Sequence, residues 1–269
     1  MRIEVEGAGP LVVKLAGVAG GVGLYREECD AARAAGFRVA AADLAGDRGD
    51  DPAPQTLNWD FLAAEVARVI DAAGGGPAIV WGTSFGTLVA LAAAARWPGR
   101  VGGLLLCHPP DRSAIRPSME RLFRWVERRD ASDRMRRLIL SGAFAYLGGW
   151  EALHPGLLAR SPRLIRAGAQ TRTPSSTVRE KLHLLWTESP GLPAPGLWTR
   201  TSIVAGAWDR VAPPEGARRL AARMTGSTLR VMPRTGHGTA WTHARSYNAV
   251  CVQELRRIAT LFTSAAAGG

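Results

Sequence analysis

Pro77-Ala78-Ile79-Val80-Trp81-Gly82-Thr83-Ser84-Phe85-Gly86 is the stretch on which the reading of this chain turns. A short apolar run enters Gly-x-Ser-x-Gly. An alanine-rich segment with helical spacing follows, from Phe85 to Trp97, and Pro98-Gly99 stops it. A strand that turns at once into a helix strains its turning residue, which lifts the Ser84 hydroxyl clear of the backbone. Gly82 and Gly86 lack the side chains that would hold strand and helix apart. The helix N-terminus brings free N–H groups and positive potential beside the hydroxyl. By itself the pattern is weak. With 13 Ser and 31 Gly in 269 residues, chance supplies about 0.2 copies, so the surroundings must separate a nucleophile from a Gly-rich turn that contains a serine.

Working outward, Arg2–Glu6 and Leu11–Leu15 read as strands, and 25–35 as a helix closed by Gly36. Phe37–Leu44 is a near-continuous apolar run, suited to a buried parallel strand. Asp47, Asp50 and Asp51 fall in an acidic Gly/Pro-bearing loop, read as solvated and not spaced as a metal site. Residues 59–73 have helical spacing, and Val101–Cys107 is another apolar strand. The alternation breaks at Pro109-Pro110. About ninety residues with helical patterns follow, including 119–129, 134–140 and a capping-box pattern at Thr177-x-x-Glu180. Strand and helix then alternate again: 201–207, 214–224, 228–233 and 245–262. Such alternation predicts a mostly parallel sheet with helices on both faces. The organisation expected is a core of residues 1–110 and 200–269, with 111–199 inserted as a helical cap.

A serine hydroxyl needs a base, and the base needs an orienting carboxylate. Gly206-Ala-Trp-Asp209-Arg-Val-Ala-Pro213 follows one later strand and Gly236-His237-Gly238 the next. The order Ser84, Asp209, His237 fits a nucleophile at a strand-to-helix turn. On these residues the chain resembles the α/β-hydrolase-fold superfamily, capped serine hydrolase type, over nearly its whole length outside the cap. The resemblance implies an α/β fold with a mostly parallel sheet of eight strands or slightly fewer. It makes Ser84 the nucleophile, His237 the base and Asp209 its orienting acid, with no metal and no cofactor. Asp111, just past strand 101–107, is the rival acid. The family's His-Gly after the second strand is replaced by Ala16-Gly17 in Ala16–Gly21; the backbone N–H groups of Val18 and Phe85 are the implied oxyanion donors. His243 precedes or begins the last helix, and His154 and His183 read as surface or packing residues of the cap.

The cap's aromatic residues suggest a large apolar pocket; Trp125, Trp150 and Trp186, with His108 and Trp208 from the core, are the candidate lining. The formal charge of +11 is uneven. Residues 112–200 carry a net +9, and of the 34 basic residues only Lys14 and Lys181 are lysine. The segment has no zinc, helix-turn-helix or RNA-module signature, so nucleic acid is not the expected partner. No stretch approaches a membrane span, and the N-terminus has no apolar core of a leader peptide. Cys29, Cys107 and Cys251 are far apart, as packed reduced thiols of a cytoplasmic protein would be. The expected activity is hydrolysis of a carboxylic ester or lactone of a bulky hydrophobic small molecule. The alternatives are a thioesterase or acyltransferase using an acidic acyl carrier protein or CoA, and a cofactor-independent lyase or cyclase of natural-product biosynthesis. A non-enzymatic binding module is the bland alternative.

Overall fold

The computed structural model describes residues 2–18, 20–44, 46–47, 57–115, 117, 120–121, 124–125 and 173–267. The elements are β1 (Arg2–Glu6), β2 (Leu11–Leu15), α1 (Arg26–Ala34), β3 (Arg38–Asp43), α2 (Trp59–Ala72), β4 (Ala78–Thr83), α3 (Phe85–Arg96) and β5 (Val101–Cys107). After them come α4 (Ser175–Thr187), β6 (Thr201–Gly206), α5 (Pro214–Arg223), β7 (Thr228–Met232), α6 (Thr239–Thr242) and α7 (Ala244–Ala267). The expected strands and helices of the core are present with boundaries shifted by a residue or two, except that α7 runs on to Ala267. The helices expected at 119–129 and 134–140 lie wholly or largely outside the described residues.

Among the described residues, the strands form one seven-stranded sheet in the order β1-β3-β2-β4-β5-β6-β7. Of these strands only β1 pairs antiparallel, against β3; the other pairs are parallel. Strand direction therefore puts the carboxyl ends of β2, β4, β5, β6 and β7 along one edge. Chain order reverses between β2 and β4, which opens a crevice at that edge. Residues of β2 alternate between two apolar layers. Leu11, Val13 and Leu15 join the layer containing α2 and α3, whereas Val12 joins the layer of α1 and α7. The helix α3 is apolar nearly all round and buried over Phe85–Ala94, as a helix between sheet and neighbouring helices must be.

Both lysines sit inside these layers. Lys14 on β2 is fully buried; its ammonium donates to Glu28 Oε1 at 2.9 Å and to Thr83 Oγ1 at 2.7 Å. It lies 4.1 Å from the Trp81 ring centre and 4.5 Å from that of Tyr25, within range of cation–π attraction. Lys181 on α4 is also buried and pairs with Asp47 in the loop after β3. Asp47 is therefore not part of a solvated loop. It is held against Lys181 midway along α4, where burial pushes its carboxyl up and Lys181 opposes the shift. Asp50 and Asp51 lie outside the described residues. Nor does Thr177 form the expected capping box. The helix starts two residues earlier, after Pro174, without a side-chain cap, and Thr177 is packed against Gly46.

Gly82 and Gly86 behave as their positions require. A Cβ on Gly82 would sit 2.3 Å from the Gly86 carbonyl oxygen, and one on Gly86 would sit 2.5 Å from that of Ala16. Both contacts are to backbone, which has little room to yield. Gly82→Ala is expected to cost about 1–3 kcal/mol or more, read as a lower urea midpoint. Lys181→Met strands the buried Asp47 charge and should cost about 3–5 kcal/mol, whereas the double variant Lys181→Met/Asp47→Leu should recover most of that loss. Equal losses in the single and double variants would count against the pairing.

Candidate active site

The turn between β4 and α3 places Ser84 at φ 53°, ψ −122°, a sparsely populated conformation for a residue with a side chain. The strain is held from outside. Ser84 N–H donates to the Cys107 carbonyl at the end of β5 at 2.8 Å, and the Ser84 carbonyl accepts from Thr87 N–H and Oγ1 at 2.8 and 2.6 Å. The hydroxyl is left to project at the crevice, where His237 Nε2 lies 3.0 Å from Ser84 Oγ.

The partners arrive on the next strand ends. The loops after β6 and β7 are laced together: Ala207 N–H donates to the Met232 carbonyl at 2.9 Å and Trp208 N–H to that of Thr235 at 2.8 Å. This brings His237 Nδ1 to 2.8 Å from Asp209 Oδ2. The other carboxylate oxygen accepts from the N–H groups of Val211 and Ala212 at 2.9 and 2.8 Å. Burial pushes the Asp209 carboxyl up, but His237 and His108 outweigh it and hold it well below the usual carboxylate range. Asp209 thus stays ionised far into acid. Its contribution to stability is present above the ordinary carboxylate range and is lost only as pH falls through its own depressed value. The rival Asp111 is engaged elsewhere, accepting from Arg219 Nε at 3.0 Å and from Ser113.

The loop after β2 stands against Ser84. A Cβ on Gly17 would lie 3.4 Å from Ser84 Cβ. Phe85, the first residue of α3, has an N–H without an intrahelical acceptor. Val18 is half-buried in the facing turn. The loop is tied down by Tyr25, whose hydroxyl accepts the Gly17 N–H at 3.4 Å. Tyr25 is in turn packed against Trp241 and the Lys14 ammonium. Sequence reasoning passed over both Tyr25 and Lys14. A lysine inside the apolar run Leu11–Leu15 was the available signal.

The candidate pocket residues scatter. His108 is buried and does not face open space; its Nδ1 lies 2.9 Å from Asp209 Oδ2, the oxygen that also accepts His237. Trp125 is 38% exposed. Trp186 is buried on α4 with the Arg124 guanidinium 5.2 Å from its ring centre. Trp208 is half-buried beside an open groove with Arg210 and Pro213. Trp150 and His154 lie outside the described residues. His183 is exposed. Among the described residues, His108, Asp209 and His237 offer three ligand atoms within 4.8 Å of one another, a donor set with metal-binding chemistry. A cation there would displace the protons that now join both rings to the carboxylate.

The family model described as "Alpha/beta hydrolase family" matches residues 18–252. Over 105 residues the chain is 35% identical to a protein of Azorhizobium caulinodans named as a carbamate hydrolase, RutD; that match spans 38% of each chain. Among solved structures, a thermophilic esterase of Thermogutta terrifontis is similar with a TM-score of 0.77 and 21% identity, over 96% of this chain and 93% of that one. A bromoperoxidase of Bacillus anthracis has a TM-score of 0.75 and 17% identity, over 94% of each. At these identities the structural likenesses speak for the fold alone. With the strand–turn–helix around Ser84 and the parallel sheet behind it, the match across residues 18–252 assigns the chain to the alpha/beta hydrolase family.

Proposed function

We propose that the protein is a serine hydrolase that cleaves a carboxylic ester or lactone of a bulky hydrophobic substrate. The observation that carries this reading is the hydrogen-bonded chain from Ser84 Oγ through His237 to Asp209, mounted on a strained turn. His237 Nε2 takes the proton from Ser84 as the hydroxyl oxygen attacks the carbonyl carbon. The N–H groups of Val18 and Phe85 receive the negative charge that develops on the carbonyl oxygen. His237 then returns the proton to the departing alcohol. Water, deprotonated by the same imidazole, releases the acid and restores Ser84. Asp209 keeps His237 in the tautomer with its proton on Nδ1 and stabilises the imidazolium formed in each step.

The segment 111–199 forms the cap over this site in our reading. The Lys181–Asp47 pair and the packing of Lys181 5.7 Å from the Phe85 ring centre support it, since they bring α4 to the residue beside the nucleophile. A thioesterase or acyltransferase reading is favoured by one separate feature, the net +9 of residues 112–200, which suits an anionic carrier or CoA. Carbamates belong in the substrate panel because of the named function of the Azorhizobium relative.

A fluorophosphonate probe is expected to add one label to Ser84, read by intact mass and peptide mapping, with none on Ser84→Ala. Folded wild-type protein that stays unlabelled would sink the proposal. Asp209→Asn should fold and bind but lose about 10⁴-fold in kcat with little change in KM, measured on an aryl ester. Acyl-CoA turnover that falls steeply with added salt, while aryl ester turnover does not, would move the assignment to the thioesterase reading.

A further inference from the structure

His108 is a buried titratable group that the proposed reaction does not use. Its place follows from strand order. β5 lies between β4, which ends at the nucleophile, and β6, which leads to Asp209. The residue just past β5 therefore sits between the two. Its backbone has an uncommon φ of 55°, held where its N–H donates to the Val204 carbonyl on the neighbouring β6 at 2.7 Å. Asp209 is ionised and only accepts, so the 2.9 Å contact places a proton on His108 Nδ1. Four donors converge on this one carboxylate: His237 and His108 on Oδ2, and Val211 and Ala212 on Oδ1.

The ordinary alternative is a core histidine satisfied by its neighbours. Two features argue against it. His108 Nε2 is buried and has no hydrogen-bond partner among the described residues, an arrangement that lowers stability. A positive φ for a non-glycine residue adds to that loss. A site selected for packing alone would carry neither. The groups facing His108 are Asp209, the edge of the His237 ring at 5.5 Å between centres, Tyr247 from α7 at 6.0 Å, and the more distant Lys14 charge. Burial pushes the imidazole down, outweighing Asp209, so the ring stays neutral while it donates.

We infer that His108 is a positioning residue: its Nδ1–H fixes the Asp209 carboxylate and draws off part of the charge presented to His237, which sets the pH below which His237 ceases to act as a base. The inference rests on the serine hydrolase reading for its kinetic consequence, but not for its geometry. Removing the donor leaves Asp209 more basic toward His237. The imidazolium gains, and more alkaline solution is needed to free the base.

The test compares wild type, His108→Leu and His108→Asn on a turned-over aryl ester. Asn places Nδ2 as many bonds from Cα as His places Nδ1, and it tolerates positive φ. His108→Leu is expected to lower kcat/KM about 10- to 100-fold, the worth of a charge-assisted hydrogen bond, and to move the acid limb of its pH profile to higher pH. His108→Asn should return the limb to its wild-type position. A limb that coincides in wild type and the Leu variant, or an Asn variant that behaves like Leu, overturns the inference. A readout without turnover covers a Leu variant that fails to fold. With ¹⁵N-histidine labelling, wild type should show two downfield imidazole protons bonded to the Asp209 carboxylate, from His108 and His237, and His108→Asn only that of His237. A single such proton in wild type overturns the assignment. Absence of ester turnover with both protons present would defeat the hydrolase reading and leave the geometry of His108 standing.

Discussion

The turn at Ser84 is the constraint around which the rest of the site is arranged. A residue at φ 53° relaxes unless its neighbours prevent it, and each neighbour here is fixed by the sheet. Gly82 lets β4 close on α3, and Gly86 lets α3 close on the end of β2, until only hydrogen would fit between them. The Cys107 carbonyl holds the Ser84 N–H from the adjacent strand. Parallel pairing then does the remaining work. β4, β5, β6 and β7 lie side by side and point the same way, so successive strand ends deliver Ser84, His108, Asp209 and His237 in one row. A slip of one residue in any pair would turn its member away.

Much of this was legible in the sequence, because it depends on local pattern. Apolar runs of strand length alternate with helical spacing, and loops after strands carry Ser84, Asp209 and His237 in order. What was not legible depends on which strands are neighbours. His108 reads in sequence as a residue after a strand. Its partner, 101 residues away, appears only when β5 is placed beside β6. Asp47 read as solvated because its loop is polar, yet Lys181, 134 residues on, covers it. Thr177 and Glu180 have capping-box spacing, but Pro174 already starts the helix and leaves Thr177 inside it. Helical spacing places Trp125 and Trp186 without saying which face meets solvent, and the two fall on different sides of that divide.

The two lysines show the same dependence in energetic form. In a chain whose other 32 basic residues are arginine, both lysines are buried, each against a carboxylate and aromatic rings. A planar guanidinium needs a broad, flat set of acceptors, whereas an ammonium is compact and can turn its donors to a confined group. Lys14 reaches Glu28 and Thr83 with the Trp81 and Tyr25 ring centres 4.1 and 4.5 Å from its ammonium. Burial still leaves Glu28 pushed up against the pull of Lys14, so the pair adds little net stability by itself. Its effect is on placement. Thr83 precedes Ser84, and Tyr25 holds Gly17 in the loop opposite. One buried ammonium therefore couples the two backbone segments that face each other across Ser84. Lys181 does the equivalent from α4, joining the loop after β3 to the ring of Phe85. An arginine at either position would keep the charge and lose the fit, which is why residue type matters there more than net charge.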